Sequence, residues 1–267
     1  MGPPASKAAL RPRLIVSSGL SLIAGYSDVI SFLMFEEFAG MMTGNMVFLG
    51  GVLVNGPQER ALYNIAVMAS NMAGVMLFCA LREVAPERAF ELAAPMCATL
   101  TALAEIMNAI VGKSKWNVCF LAASLGASNF LSFSGPIGGM TTLATGNLQK
   151  AAKGLFKVVV GQPFDEVERE ATCVAGIVVL STILGAVVGA AVLTYNPLGI
   201  SWLLAPVAIL QLAILALHDK ILRDEPGVDA SPFLAPQNED NDDAKHDDGQ
   251  RFTTLDIAET ESVPSAS

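Results

Sequence analysis

Histidine is almost missing from this chain of 267 residues: His218 and His246 are the only two, at or beyond the last apolar run. A metal centre built on imidazole therefore has too few ligands, and a nucleophile in the body of the chain has no histidine to act as its base. Cysteine is scarce as well. Cys79, Cys97, Cys119 and Cys173 each sit in an apolar run with no CxxC spacing, so they read as small buried hydrophobes. Charge is thin at 15% of residues, and Lys and Arg number 16 against 25 Asp and Glu, which leaves no basic face for nucleic acid. A glycine loop of the nucleotide-phosphate type is absent, so ATP-driven chemistry is not expected. These absences together predict no metal, no cofactor and no enzymatic activity.

Apolar residues are what the chain has, at 52%. They fall into runs of about 20 residues, the length a bilayer demands of a helix. The net charge of −9 comes from one end: residues 224–267 hold 12 Asp and Glu and two Lys and Arg, while the preceding body is near neutral. That acidic tail, rich in Asp, Asn, Pro and Ser, reads as disordered.

Inside the apolar runs a polar signature occurs twice. Gly25-Tyr-Ser-Asp-Val-Ile-Ser-Phe32 returns as Gly126-Ala-Ser-Asn-Phe-Leu-Ser-Phe133, with Asn129 standing where Asp28 stood. Thr43-Gly44-Asn45 returns at nearly the same spacing as Thr145-Gly146-Asn147. Two copies in two apolar halves indicate an internally duplicated, all-α integral membrane protein.

The chain then divides into a basic N-terminal segment (1–13), a first membrane repeat (14–113), a second (114–223) and the acidic tail (224–267). Full spans are expected over 14–35, 62–81, 92–111, 116–133, 171–195 and 200–217. Two shorter elements, 41–54 and 141–160, follow the signatures. The first is too short to cross comfortably. The second carries Lys150, Lys153 and Lys157 on one helical face and reads as amphipathic and interfacial. Three spans per repeat force the copies into opposite orientations, as in many secondary transporters. If both short elements cross, eight spans result and the copies run parallel. With the termini on the cytoplasmic side, charge bias agrees with either count; the lysines of the second short element favour six.

Asp28 is the sharpest single feature, because a carboxylate within a span costs a few kcal/mol or more and faces a cavity or a partner. One reading makes it an ion- or proton-coupled site where the helix loosens at Gly25, with Asn129 and Gly126 as the pseudo-symmetric counterparts. The other makes it a polar plug bonded to Asn129 or Ser27. Thr43 or Asn45, and likewise Thr145 or Asn147, would serve as helix N-caps, or would turn free amides towards a polar ligand. Glu105 is a second intramembrane acid, either a relay partner or a side chain reaching the interface, and Gln211 falls about where Glu105 would repeat. Ala66, Ser70 and Gly74, and again Ser181, Gly185 and Gly189, form small-residue faces suited to close helix packing or to a homo-oligomer.

At these residues the chain resembles the YoaK-like family, multi-pass membrane proteins gathered as a domain of unknown function. The family's Gly-x-x-Asp and Met-Thr-Gly-Asn elements are matched by Gly25, Asp28 and Met42-Thr43-Gly44-Asn45. Its second signature is matched by Gly126, Asn129, Thr141-Thr142 and Thr145-Gly146, with Ser128 where the family has glutamine. The resemblance covers about residues 14–220 and implies an integral membrane protein without naming a substrate. The expected role is a small secondary transporter or permeability protein for a small polar solute or ion. The alternative is a membrane scaffold or assembly factor, with a membrane enzyme third.

Overall fold

In a bilayer the backbone must satisfy its own hydrogen bonds, so apolar runs of this length become helices. The structure, a computed structural model, describes residues 7–112, 114–134, 144–195 and 202–224. Among these residues it is helical, without a strand. The helices are α1 (Lys7–Phe35), α2 (Met42–Asn55), α3 (Gln58–Val84), α4 (Ala89–Ile110), α5 (Val118–Ser134), α6 (Ala144–Val159), α7 (Glu166–Thr194) and α8 (Ala205–Asp224). Short 3-10 turns at Pro86–Arg88 and Lys115–Asn117 lead into α4 and α5. Residues 135–143, 196–201 and the acidic tail beyond Asp224 fall outside the described residues.

Among the described residues, four stretches are long and apolar enough to cross a membrane: Leu14–Phe35, Gln58–Val84, Ala89–Ile110 and Glu168–Thr194. Met42–Asn55 and Ala205–Leu217 are shorter apolar helices. With 14 residues, α2 rises about 21 Å, less than the roughly 30 Å of a hydrocarbon core. The apolar window of α1 is 67% buried and those of α3 and α7 are 22% buried. Helix α1 is therefore central, while α3 and α7 turn Met72, Met76, Leu180 and Val187 outward, a surface only lipid would solvate well.

The most extensive helix contacts are α1 with α7 and α3 with α5, followed by α4 with α8, α4 with α5, α6 with α7 and α1 with α8. In lipid these contacts rest on close packing, since hydrocarbon tails are as apolar as the side chains. At the α1–α7 crossing a Cβ on Gly25 would strike the Thr182 carbonyl oxygen, and one on Gly185 would strike that of Leu22. At the α3–α5 crossing, Gly126 meets Asn71 and Gly74 meets Ala123 in the same way. Gly126 and Ala123 follow Gly25 and Leu22 by the same 101 residues, and Gly185 and Thr182 follow Gly74 and Asn71 by 111. Gly74 and Gly185, from the small-residue faces suited to close helix packing or to a homo-oligomer, thus meet helices of this chain.

Directions follow from the pairs in contact. Ser18 hydrogen-bonds Ser181 while Gly189 lies on Tyr26, so α1 and α7 run parallel. Tyr63 meets Trp116 and Phe78 meets Phe130, so α3 and α5 do too. Thr101 contacts Gln211 and Glu105 contacts Leu204, which makes α4 and α8 antiparallel. Helix α6 docks on α7 through Gly154 against Thr172 and through Lys153 and Lys157, which both ion-pair with Glu168. Two of the three lysines expected on one face thus serve a single carboxylate.

Candidate functional site

The first signature builds a hairpin. Helix α1 ends at Glu36, which takes a left-handed conformation (φ 60°) and donates its amide to the Phe32 carbonyl at 2.8 Å. The chain then folds back along α1 far enough for the Gly40 amide to reach the Asp28 carboxylate at 2.6 Å. The Met41 and Ala39 amides also bear on Asp28. One turn above, Ser31 Oγ accepts from the Ala39 amide at 3.1 Å and donates to the Asp28 carbonyl. Asp28 is 5% exposed, so this carboxylate is engaged by the start of α2 inside the protein. A backbone amide to a carboxylate is a charge-assisted bond, about twice as strong as a neutral one. Asp28 is bonded to neither Asn129 nor Ser27, and Ser27 Oγ has no partner.

Met42-Thr-Gly-Asn45 completes the hairpin in a way that differs from the expected cap. The N-cap of α2 is Met41, with no side-chain cap bond, and Thr43 is exposed. Asn45, fully buried, reaches back instead: its Oδ1 accepts from the Phe38 amide at 3.0 Å and its Nδ2 donates to the Phe38 carbonyl at 2.6 Å. Gly44 leaves room for the Phe38 ring, which a Cβ would overlap. That ring stacks on Phe32 at 4.7 Å between centroids and on Phe48 at 6.0 Å. Glu37 is 1% exposed, and Asn64 Nδ2 donates to both its oxygens at 3.0 and 2.8 Å. Burial pushes the Glu37 carboxyl above its ordinary value, against the opposing pull of Asn64 and Arg60. Its neighbour Glu36 is exposed and paired with Arg60 at 2.8 Å.

In the second signature, Ser132 Oγ donates to the Asn129 carbonyl at 2.7 Å, the counterpart of Ser31 and Asp28. Asn129 Oδ1 is buried without a partner. The stretch corresponding to the first hairpin, including Thr141 and Thr142, falls outside the described residues. Thr145 opens α6 and is exposed, Asn147 is 8% exposed, and Gly146 faces open space.

Glu105 is 2% exposed, with Oε2 accepting from the Leu204 amide at 3.0 Å and Oε1 unpartnered. An unpaired buried acceptor costs about 1–3 kcal/mol, more when charged. Glu105 lines a cavity of about 140 Å³ together with Ser31, Asn108, Asn117, Ile30 and Leu121. Asn117 Nδ2 donates to Asn108 Oδ1 at 2.7 Å and to the Gly112 carbonyl at 3.3 Å. Behind it lies an apolar groove of about 700 Å³ between α1, α7 and α8. The Leu203–Leu204 turn stands between the two, held by Glu105 on one side and by Tyr26, whose hydroxyl donates to the Leu203 carbonyl at 2.9 Å, on the other. Asp28 lines neither space.

Gln211 is not the counterpart of Glu105 in its contacts. It accepts from Thr101 at 2.6 Å and donates to Ser124 at 3.0 Å, while Ser124 donates to the Cys97 carbonyl. That cluster is closed. The structure thus gathers Gly25, Asp28, Gly44 and Asn45 into one hairpin and sets Glu105 in a separate cavity. Sequence reasoning missed Glu37, Asn64 and Asn117. Asn64 and Asn117, amides at the edges of apolar runs, were the available signal.

No group of three or more metal-ligating side chains occurs among the described residues. A family profile described as "Protein of unknown function (DUF1275)" matches residues 16–217. The chain belongs to that family. No curated protein and no solved structure matches it.

Proposed function

We propose that this member of the family is a six-span membrane carrier or permeability protein for a small polar solute or ion, working through the cavity at Glu105. The observation that carries this reading is the half-satisfied carboxylate: one oxygen is held by the Leu204 amide, the other is buried without a partner, and Glu105 lines a polar-ended cavity. Intramembrane acids in such positions mark solute and ion pathways. A binding role fits better than catalysis, since Ser31, the one hydroxyl among the described lining residues, is committed to the Asp28 carbonyl and the Ala39 amide.

The six-span layout with two inverted copies is supported by the contacts. Exchanging α1–α4 for α5–α8 turns the α1–α7 crossing into the α5–α3 crossing, and the glycines that permit one permit the other. Parallel packing of α1 with α7 and of α3 with α5 suits copies of opposite orientation meeting at a shared midplane. The charge bias of the body supports a cytoplasmic side for both termini. The finer kinship to the YoaK-like group rests on the two signatures. In this reading Asp28 and Asn45 are the fixed frame of the hairpin, and the second signature frames the other half.

The test is solute flux into proteoliposomes containing the purified protein or Glu105→Gln. Saturable uptake that falls at least tenfold in the variant supports the carrier. One observation favours a scaffold instead: the Asp28 carboxylate is engaged by the Gly40 amide of its own hairpin. Uptake absent from both proteins, with Glu105→Gln as stable as the parent, would select the scaffold.

A further inference from the structure

We infer that the groove between α1, α7 and α8 seats the acyl chains of a membrane phospholipid. The gap has a plain origin in the packing. Helices α7 and α8 both lie against α1 but not extensively against each other, so α1 forms a floor and the other two form walls. The space between them measures about 700 Å³.

Polarity selects the occupant. Among the described lining residues none is charged, and only Tyr26, Tyr195 and Trp202 carry a polar side-chain atom. The Tyr26 hydroxyl, on the floor, is already spent on the Leu203 carbonyl at 2.9 Å. Pro206, in the first turn of α8, has no amide to offer. A polar solute seated here would leave its own hydrogen-bonding groups unmet. A helix of another chain fits poorly for a different reason. Helices associate in lipid through small residues or interhelical hydrogen bonds, and among the described lining residues Ala191 is the one small side chain. Alkyl chains need neither.

The groove also opens onto the surface that lipid covers. On α7, Leu180, Leu184, Val188 and Val192 stand four apart and share a face, and their exposure declines from 68% at Leu180 to 39% at Val192. The lipid-facing stripe thus runs on into the groove wall, which Val188 and Val192 line. At the rim, Tyr195 and Trp202 are exposed aromatic side chains with polar tips, just after α7 and just before α8. Such residues sit at the level of the lipid headgroups. Leu22 marks the other end, beside Gly185. From Val188 to Tyr195 the wall rises about 10 Å, so a lipid lies along it with its head at the aromatic rim and its tails towards Leu22. Seated there, the chains pack on Leu203 and back the turn that Glu105 holds from the other side. This seat goes beyond the carrier reading and does not depend on it.

The experiment is tryptophan quenching by phosphatidylcholine brominated on its acyl chains, titrated into the full-length chain in detergent micelles. The chain has two tryptophans, so Trp116→Phe leaves Trp202 in the groove as the reporter, and Trp202→Phe leaves Trp116 outside it. Trp116 is 40% exposed and Trp202 54%, so lipid that only coats the protein quenches them alike. The expected result is Trp202 quenching that saturates at a low lipid-to-protein ratio, against Trp116 quenching that rises in proportion to lipid. Ala191→Phe, which fills the groove, should weaken the Trp202 response at least tenfold. Should that variant fail to fold, Val192→Phe serves, at the exposed edge of the same wall. Matching curves for the two tryptophans overturn the inference, as does saturable Trp202 quenching that neither filling variant weakens. A Trp202 left unquenched overturns it too; if light scattering then shows a dimer that Ala191→Phe returns to a monomer, a second copy fills the groove. Failure of solute flux in proteoliposomes would remove the carrier and leave this seat standing.

Discussion

The hairpin after α1 and the end of α5 start from the same residues in the same register and differ in one atom's chemistry. In both, a serine hydroxyl three residues on donates back to the signature carbonyl, Ser31 to Asp28 and Ser132 to Asn129. In the first half the side chain is a carboxylate, which only accepts, and the Gly40 amide fills it at 2.6 Å. In the second half the side chain is an amide whose buried oxygen has no partner. A carboxylate on a backbone amide makes a clamp, and an asparagine there offers a weaker acceptor and two donors needing acceptors of their own. The same divergence separates Glu105, open on one oxygen, from Gln211, closed into a cluster with Thr101 and Ser124. The halves share their helix crossings and part company at their polar atoms.

The strongest way to break this comparison is at the crossings. Gly25→Ala and Gly126→Ala each drive a Cβ into a backbone carbonyl of the partner helix, which cannot rotate away. Overpacking of this kind costs about 1–3 kcal/mol or more, so both variants should lose most monodisperse protein on detergent size-exclusion chromatography, and to a similar extent. Gly50 faces open space, and Gly50→Ala should stabilise α2 by up to about 1 kcal/mol through helix propensity. A large loss in one half with tolerance in the other would end the equivalence of the two crossings.

Next in size is the clamp. Asp28→Asn removes a charge-assisted bond worth about 1.5–3 kcal/mol. Hydrogen exchange at the Gly40 amide should accelerate by at least tenfold, while Asn129→Ala leaves that amide unchanged. Equal protection of Gly40 in the parent and Asp28→Asn would show that Asn45 and Ser31 hold the hairpin alone.

Much of the fold could be read from the apolar runs, because each needed only length and composition. The run at 62–81 became α3 from Gln58 to Val84, longer at both ends because polar residues continue a helix beyond the hydrocarbon. Asp28 stood out as a carboxylate in an apolar run, yet its partner did not, since a backbone amide leaves no mark in the sequence. Asn45 was visible as a polar residue at a helix start, and capping predicts a reach of two or three residues forward. Its bonds run seven residues back, to Phe38, because the hairpin brings that peptide alongside. The repeated Ser-x-x-x-Gly spacing announced close helix crossings correctly. That the partner helix belongs to the same chain depends on the topology, which no local spacing encodes.

Glu37 gives a smaller, pH-dependent test of the first hairpin. Its folded pKa lies above its ordinary 4.5 because burial disfavours the charge. The stability it contributes is therefore fully present below about 4.5 and is lost as pH rises through the folded value. Glu37→Gln is neutral throughout and can donate to Asn64 Oδ1, which is buried without a partner. Such a bond is worth about 0.5–1.5 kcal/mol. The variant should melt above the parent at pH 8 in detergent, and the gap should shrink towards pH 4. A constant gap would mean that Glu37 binds its proton equally well in the folded and the unfolded chain.

The smallest expected effect distinguishes how the two short helices are held. Helix α2 is tied to the α1–α3 corner by buried amides and stacked rings, whereas α6 meets α7 through Lys153 and Lys157 on Glu168. Lys153 and Glu168 are open enough to solvent for salt to screen their attraction. Glu168→Gln should lower the melting temperature slightly at low ionic strength, less than Glu37→Gln raises it, and the difference should vanish in molar salt. Adding salt should leave the α2 hairpin untouched, because its bonds are buried. If the Glu168→Gln effect survives high salt, α6 is held by the packing of Gly154 on Thr172, and the two short helices are anchored by the same kind of force.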